Sequence, residues 1–370
     1  MKKIYLLYAI ILVFVIFLSL PFVFLVNRKL GYYAYKQVFY RTLINHIVGS
    51  ENDPEKAAII LMEYFYDNLF SPDKARIVDK DAYVNLIRGI AWCDQRAWTM
   101  GKFLGRLGID NRMIMIKNPA GISNHTALEV FIDEKWRYFD PQYGIFIRGE
   151  NGELLSYADI CAKSYLFCST PAMLAVKKVD VARYDNLKEF ITANIFYANP
   201  LKPDVWNNPL KGDDFKRRAI TGTLDFYCFI FRDFFSYLYQ DLYASFYLNA
   251  KNGENLYLRA RNYDLFGRTR LAEDYYKRSI TDSRKGENAI FFLAVMYNKI
   301  NEFQHSADTL RLLLARYPGT KWEPFVYYYL GRDCEELRDY APAKDYYKRA
   351  MSISDDLHPA GRLYSLLNRQ

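Results

Sequence analysis

Three side chains in this sequence are equipped for chemistry together: the thiol of Cys93, the imidazole of His125 and the carboxylate of Asp140. They fall in that order inside the stretch from Gly89 to Gly144, each at the edge of a different expected element. Cys-His-Asp is the set that nucleophilic acyl transfer needs. The thiolate attacks a carbonyl, the imidazole shuttles the proton, and the carboxylate orients the imidazole.

The elements that must position them can be read from spacing. Apolar positions at Ala97, Met100, Leu104 and Leu107 have helical periodicity, and Gly108-Ile109 reads as the helix stop. Cys93 then stands at a helix start, where free N–H groups and the helix dipole favour an anion. A lone cysteine is more often a buried, inert one, so the other two elements must decide. His125 opens a strand through Ile132, rich in β-branched and aliphatic residues, and Trp136–Asp140 reads as its hairpin partner. If Asp133-Glu134 is a two-residue turn, Ile132 pairs with Lys135 and Ala127 lies opposite Asp140. His125 and Asp140 then sit diagonally on one face, within reach of each other. A three-residue loop would send them to opposite faces and destroy the set. Asp-Glu is a weaker turn signal than Asp-Gly.

At this point the residues resemble a family. Gly-Ile-Ala-Trp-Cys at 89–93, the run Leu104 to Arg112, Asn-His-Thr-Ala-Leu-Glu-Val at 124–130 and Lys-Trp-Arg-Tyr-Phe-Asp-Pro at 135–141 are similar to the transglutaminase-like superfamily of papain-fold cysteine enzymes. The resemblance covers about residues 54–165, under a third of the chain. It implies Cys93 as nucleophile, His125 as general base and acid, and Asp140 as orienter. The family includes crosslinking transglutaminases, deamidases, peptide-N-glycanases, proteases and inactive relatives, so the substrate stays open. The chain departs from the family pattern in having Asp-Glu where a turn glycine is common. It also lacks an obvious glutamine just upstream of Cys93 to donate to an oxyanion, which leaves the Cys93 backbone N–H as the candidate. Trp92 is expected to wall the site.

Around this core the chain of 370 residues is long enough for two or three domains, and at 51% hydrophobic it can bury a sizeable core. Its 33 Tyr and 26 Phe suit helices packed through rings. A net charge of +8 arises from 50 basic against 42 acidic residues, with no nucleic-acid motif, which argues against nucleic acid as a partner. No zinc, phosphate-loop or dinucleotide motif is present, so neither cofactor nor metal is expected. His46, His305 and His358 lie far apart and read as surface or packing residues. The five cysteines, Cys93, Cys161, Cys168, Cys228 and Cys334, are odd in number and lack metal-type pairing.

Ile4–Val26 is 23 residues without a charge, enough for one bilayer span, and no small-residue cleavage site follows it. This reads as a single N-terminal membrane anchor. The short basic N-terminus ahead of it suggests an extracytoplasmic bulk, although the basic residues after it argue the other way. Asp53-Pro54 starts a helix, and Ser156 is placed to cap another. Pro-punctuated residues 191–222 separate the enzyme-like part from Asp225–Leu248. That segment holds eleven aromatic residues and reads as a buried connector helix.

From Gly253 a repeat appears. Windows of 34 residues start at Gly253, Glu287 and Pro324. Their eighth positions are Ala260, Ala294 and Gly331, their twentieth Ala272, Ser306 and Ala343, and their twenty-fourth Tyr276, Leu310 and Tyr347. The pattern resembles tetratricopeptide repeats, which pair helices through small residues and present a surface for a peptide or protein.

The sequence therefore reads as an α+β protein: a papain/transglutaminase-like core with an N-terminal transmembrane helix and a C-terminal all-α tetratricopeptide-like module. The expected division is an anchor at 1–30, the enzyme-like domain at 31–190, a connector at 191–252 and repeats at 253–370. The expected activity is acyl transfer or hydrolysis at an amide of a protein or peptide. Hydrolysis is favoured over crosslinking, because no dedicated amine site is visible. The competing reading is a non-catalytic envelope assembly scaffold that binds partners through its repeats.

Overall fold

The structure, a computed structural model, describes residues 12, 15, 19–72, 81–117, 123–149, 151–162, 195–198, 214–247, 253–281 and 285–353. In chain order the helices are α1 (Arg28–Val48), α2 (Pro54–Asn68), α3 (Ala82–Arg88), α4 (Cys93–Arg106), α5 (Tyr157–Ala162), α6 (Asp214–Tyr247), α7 (Gly253–Leu265), α8 (Thr269–Ile280), α9 (Gly286–Lys299), α10 (Phe303–Arg316), α11 (Glu323–Glu336) and α12 (Tyr340–Ile353). The strands are β1 (Asn111–Lys117), β2 (Ser123–Ile132), β3 (Lys135–Asp140), β4 (Ile145–Phe146) and β5 (Ile195–Ala198). Helix accounts for 70% of the structure.

The chain divides into two units, one of residues 1–49 with 204–251, the other of residues 50–203 with 252–370. In the first, α1 pairs with α6. Asn27 caps α1, its side chain accepting from the N–H groups of Lys29 and Leu30. The seam is aromatic: Tyr35 stacks on Tyr243 at 4.4 Å, and the Tyr33 and Thr221 hydroxyls are 3.1 Å apart. α6 is buried on one face only. Tyr227, Phe235 and Tyr239 are enclosed, whereas Phe229 and Phe234 are 75% and 72% exposed.

Two expectations are corrected here. Among the described residues no helix is long and apolar enough to cross a membrane. Most of Ile4–Val26 lies outside those residues. Its described end, Leu20–Val26, is a seven-residue 3₁₀ helix with Pro21 in its first turn. At ~2 Å rise per residue that is ~14 Å, about half a hydrocarbon core. The anchor, and the membrane-bound, extracytoplasmic placement built on it, are withdrawn. The α+β class with a transmembrane helix is replaced by a predominantly helical chain carrying one small sheet.

In the second unit the sheet runs β4-β3-β2-β1-β5 with all neighbours antiparallel. The β2–β3 register pairs Ile132 with Lys135 and Leu128 with Phe139, as a two-residue turn requires. Asp133 and Glu134 both take positive φ, +50° and +61°, which is the turn geometry that follows strand twist. α4 packs on β1 and β2 and ends in a Schellman motif. Ile109 N–H donates to Leu104 O at 3.0 Å and Gly108, at φ +75°, donates to Gly105 O at 3.3 Å. α2 is capped by Asp53, whose carboxylate accepts from Glu55 N–H at 2.9 Å.

Three helical hairpins, α7–α8, α9–α10 and α11–α12, occupy the three repeat windows. Ala260, Ala294, Ala272, Ser306, Ala343, Tyr276, Leu310 and Tyr347 are all fully enclosed. At Gly331 an added Cβ would come within 2.5 Å of the Tyr347 ring, so the small residue is what lets these two helices meet. The hairpins share a core with the segment that leads to Cys93. Phe70 lies in a cage of Phe291, Phe292, Trp322, Phe325 and Tyr329 rings, with centroids 5.2–6.2 Å away.

Candidate active site

α3 ends at Gly89, whose φ of +65° and N–H bonds to Asn85 O and Leu86 O turn the chain sharply. The next residues pair with the segment after α2. Phe70 N–H donates to Gly89 O at 2.8 Å, and Ala91 N–H donates to Phe70 O at 2.9 Å. This short parallel bridge delivers Trp92 as N-cap and Cys93 as the first residue of α4. The Gln95 side chain turns back to accept the Trp92 N–H at 3.0 Å. Cys93 is half-buried and a free thiol.

His125 sits near the start of β2 and Asp140 at the end of β3, so the hairpin register sets both on one sheet face with Glu129 and Tyr138. His125 Nε2 lies 2.6 Å from Asp140 Oδ2, and both residues are buried. The Asp140 carboxylate is fully satisfied. Oδ2 also accepts the Tyr138 hydroxyl at 3.1 Å, and Oδ1 accepts the N–H groups of Gln142 and Tyr143 at 2.9 and 3.2 Å. Burial and the neighbouring carboxylate hold the Tyr138 phenol well above its ordinary range, so it stays a donor. Cys93 is the other group close enough to His125 to favour its charged form. With Nε2 taken by Asp140, only Nδ1 is left for another partner. The Tyr143 ring covers the imidazole, centroids 5.1 Å apart.

The electrostatics favour a charged imidazole. Burial alone pushes the His125 pKa down, but the Asp140 charge, its hydrogen bond and the contact with Cys93 outweigh it and raise the value from 6.5 to about 10. At neutral pH the ring is therefore an imidazolium, held between a carboxylate and a sulfur.

All three residues singled out from the sequence thus meet in one place. The sequence reading missed what fixes them. Arg96, one turn along α4 from Cys93, is buried. Its Nε donates to Ala91 O at 3.1 Å, its NH1 to Pro141 O and Gln142 O at 3.4 and 3.3 Å, and its NH2 to Ser71 Oγ at 3.2 Å. One guanidinium therefore ties the Cys93 approach to the turn after Asp140. Ser71 adds a bond from its hydroxyl to Ala91 O at 2.7 Å. A charge beside core position Ala97 was the available signal for Arg96. Asp-Pro followed by two free N–H groups was the signal for the turn that grips Asp140.

The other cysteines and histidines stay apart. Cys228 and Cys334 are buried, and burial pushes the Cys228 thiol up to about 11. His305 is exposed and meets Glu302 at 3.2 Å, and His46 is exposed on α1. Cys168 and His358 lie outside the described residues, as does the side chain of Cys161.

Comparison with known proteins gives no match: no family model, no curated protein and no solved structure is similar to the chain.

Proposed function

We propose that the chain is a transglutaminase-like thiol enzyme acting at an amide carbonyl of a protein or peptide. The observation that carries this reading is His125, held at 2.6 Å by Asp140 through Nε2 and close enough to Cys93 for the thiol to favour its charged form. A spectator cysteine needs no buried imidazolium, and a structural His–Asp pair needs no thiol at its free nitrogen.

The residues divide the work as follows. The proton of Cys93 already rests on the His125 imidazolium, on the nitrogen that Asp140 does not hold, and the sulfur attacks the carbonyl. Negative charge on the carbonyl oxygen is met by N–H groups at the start of α4, which have no intrahelical partner. Collapse breaks the C–N bond, and His125 returns its proton to the departing amine or ammonia, leaving a thioester on Cys93. Water then attacks with its proton passing to His125, the C–S bond breaks, and the thiol is restored. An amine in place of water gives transfer instead. Hydrolysis is the favoured outcome, since no dedicated amine site is evident. The three helical hairpins would supply a surface for a protein partner.

The test is turnover on a glutamine-rich protein such as casein, following ammonia release and incorporation of a fluorescent primary amine side by side. Ammonia release by the native chain, and none by Cys93→Ala, supports the reading. Equal release by both, or by neither while an acyl-enzyme on Cys93 is undetectable by mass spectrometry, overturns it.

A further inference from the structure

The hairpins after residue 253 do more than sit beside the candidate site. Two residues of α7 reach the carbonyls at the end of α3, immediately before Gly89 and five to seven residues before Cys93. The Tyr257 hydroxyl donates to Ile87 O at 3.2 Å, with Arg88 O at 3.4 Å sharing the same proton. Arg261 NH2 donates to Leu86 O at 3.0 Å and its Nε to Ile87 O at 3.4 Å. The last carbonyls of a helix have no intrahelical donor, so these side chains of α7 complete α3.

Arg261 is fixed in turn. It is fully buried, pairs with Asp264 at 2.6 Å and lies 4.0 Å over the Phe292 ring. That same Phe292 packs beneath Gly89, where an added Cβ would fall 2.1 Å from the ring. From the other side Phe70, caged by rings of α9 and α11, holds Gly89 O and Ala91 N–H. The Phe70 anchors of the Gly89–Ala91 approach are therefore backed by the hairpins, while Arg96, Ser71 and the Asn85 and Leu86 carbonyls hold it from within the sheet-bearing part.

From this geometry we infer that Tyr257 and Arg261 are positioning residues for Cys93: the repeat-like hairpins set where the nucleophile stands relative to His125. The inference rests on the proposed role of Cys93 and deepens it. A module that merely recruited a partner would need no contact with the nucleophile's approach, and a buried cation aimed at two carbonyls of the neighbouring helix is a costly way to achieve plain adhesion. A shift of about 1 Å at a reacting atom can cost two orders of magnitude in rate.

The experiment compares the alkylation rate of Cys93 by iodoacetamide, from pH 5 to 9, in the full-length native chain, Tyr257→Phe and Arg261→Lys. Cys228 and Cys334 serve as internal controls, and near-ultraviolet circular dichroism reports folding. Tyr257→Phe removes one oxygen and decides the matter if Arg261→Lys does not fold. The expected result is a folded Tyr257→Phe chain in which Cys93 alkylates about tenfold more slowly near pH 7, with a profile moved toward that of an ordinary thiol. A folded variant with native rate and profile overturns the inference, and so does a Tyr257→Phe chain that cannot fold, since the residue then serves stability alone. If Cys93 in the native chain is no faster than the two control cysteines, it is the proposed nucleophile that fails.

Discussion

His125 Nε2 and Asp140 Oδ2 are 2.6 Å apart in a buried site, and this pair sets the charge of the whole constellation. Asp140→Asn keeps an acceptor for Tyr138 or the turn N–H groups but removes the charge. Burial is then opposed only by the contact with Cys93, and the imidazole pKa should fall from about 10. Heteronuclear NMR of the His125 ring reads this directly. Turnover should fall as well. The analogous change in serine proteases costs ~10⁴ in kcat, and a site whose ion pair exists before reaction should lose less.

The same shift has a signature in stability. The folded His125 pKa is raised above its unfolded value of 6.5. Its contribution is therefore fully present below pH 6.5 and is lost as pH rises toward 10. Urea midpoints of the native chain should decline across that window. Asp140→Asn should start lower and show a flatter profile. Parallel slopes in the two chains would contradict the assignment.

Asp333 acts in the same sense at lower pH. Enclosed in α11, it accepts from Asn298 at 2.6 Å, yet burial pushes its pKa from 3.8 up to about 7. The folded chain then holds a proton that the unfolded chain has released between pH 4 and 7, so stability falls as pH rises through this range. Asp333→Asn should leave the midpoint near pH 4 almost unchanged. At pH 8 it should raise stability by on the order of 4 kcal/mol, at roughly 1.4 kcal/mol per pKa unit. Thermal denaturation at the two pH values measures both.

Arg96 should resist even conservative replacement. Arg96→Lys keeps the charge but cannot reach Ala91, Pro141, Gln142 and Ser71 at once. Leaving one or two buried carbonyls without a donor costs roughly 1–3 kcal/mol each. Equilibrium urea unfolding should register the loss, and Cys93 should alkylate more slowly because its approach is no longer tied to the Asp140 turn.

The β2–β3 turn offers a gain. Glu134 holds a φ of +61° that glycine adopts freely. Since the left-handed conformation costs roughly 1–2 kcal/mol for an ordinary residue, Glu134→Gly should raise the thermal midpoint by a few degrees. The flexibility that glycine adds to the unfolded chain offsets part of the gain. A lowered midpoint would show that the Glu134 side chain contributes something the turn geometry does not reveal.

What the sequence made legible is what local physics writes into it. Alternation on β2 and β3 carried the hairpin, and the two-residue turn fixed the side of the sheet on which His125 and Asp140 meet. The Gly108-Ile109 stop carried the end of α4, and small residues at fixed intervals carried the three hairpins. What stayed hidden has no local period. Tyr257 and Ile87 are 170 positions apart, so nothing in either segment announces their bond. The same holds for α1, which pairs with α6 although the sequence grouped residues 31–48 with the enzyme-like part. The uncharged run Ile4–Val26 satisfied a length rule for a membrane span, but that rule does not register Pro21 or the 3₁₀ turns that follow it.

The central claim is that Cys93 is an activated nucleophile because His125 faces it. It is tested most directly by the second-order rate of iodoacetamide alkylation at Cys93, read by mass spectrometry at pH 6.5 in the native chain and in His125→Ala. The account predicts that native Cys93 reacts at least tenfold faster than Cys228 and Cys334, and that His125→Ala removes most of the difference while the chain stays folded. Equal rates at the three cysteines, or a fast Cys93 that His125→Ala leaves untouched, would contradict it.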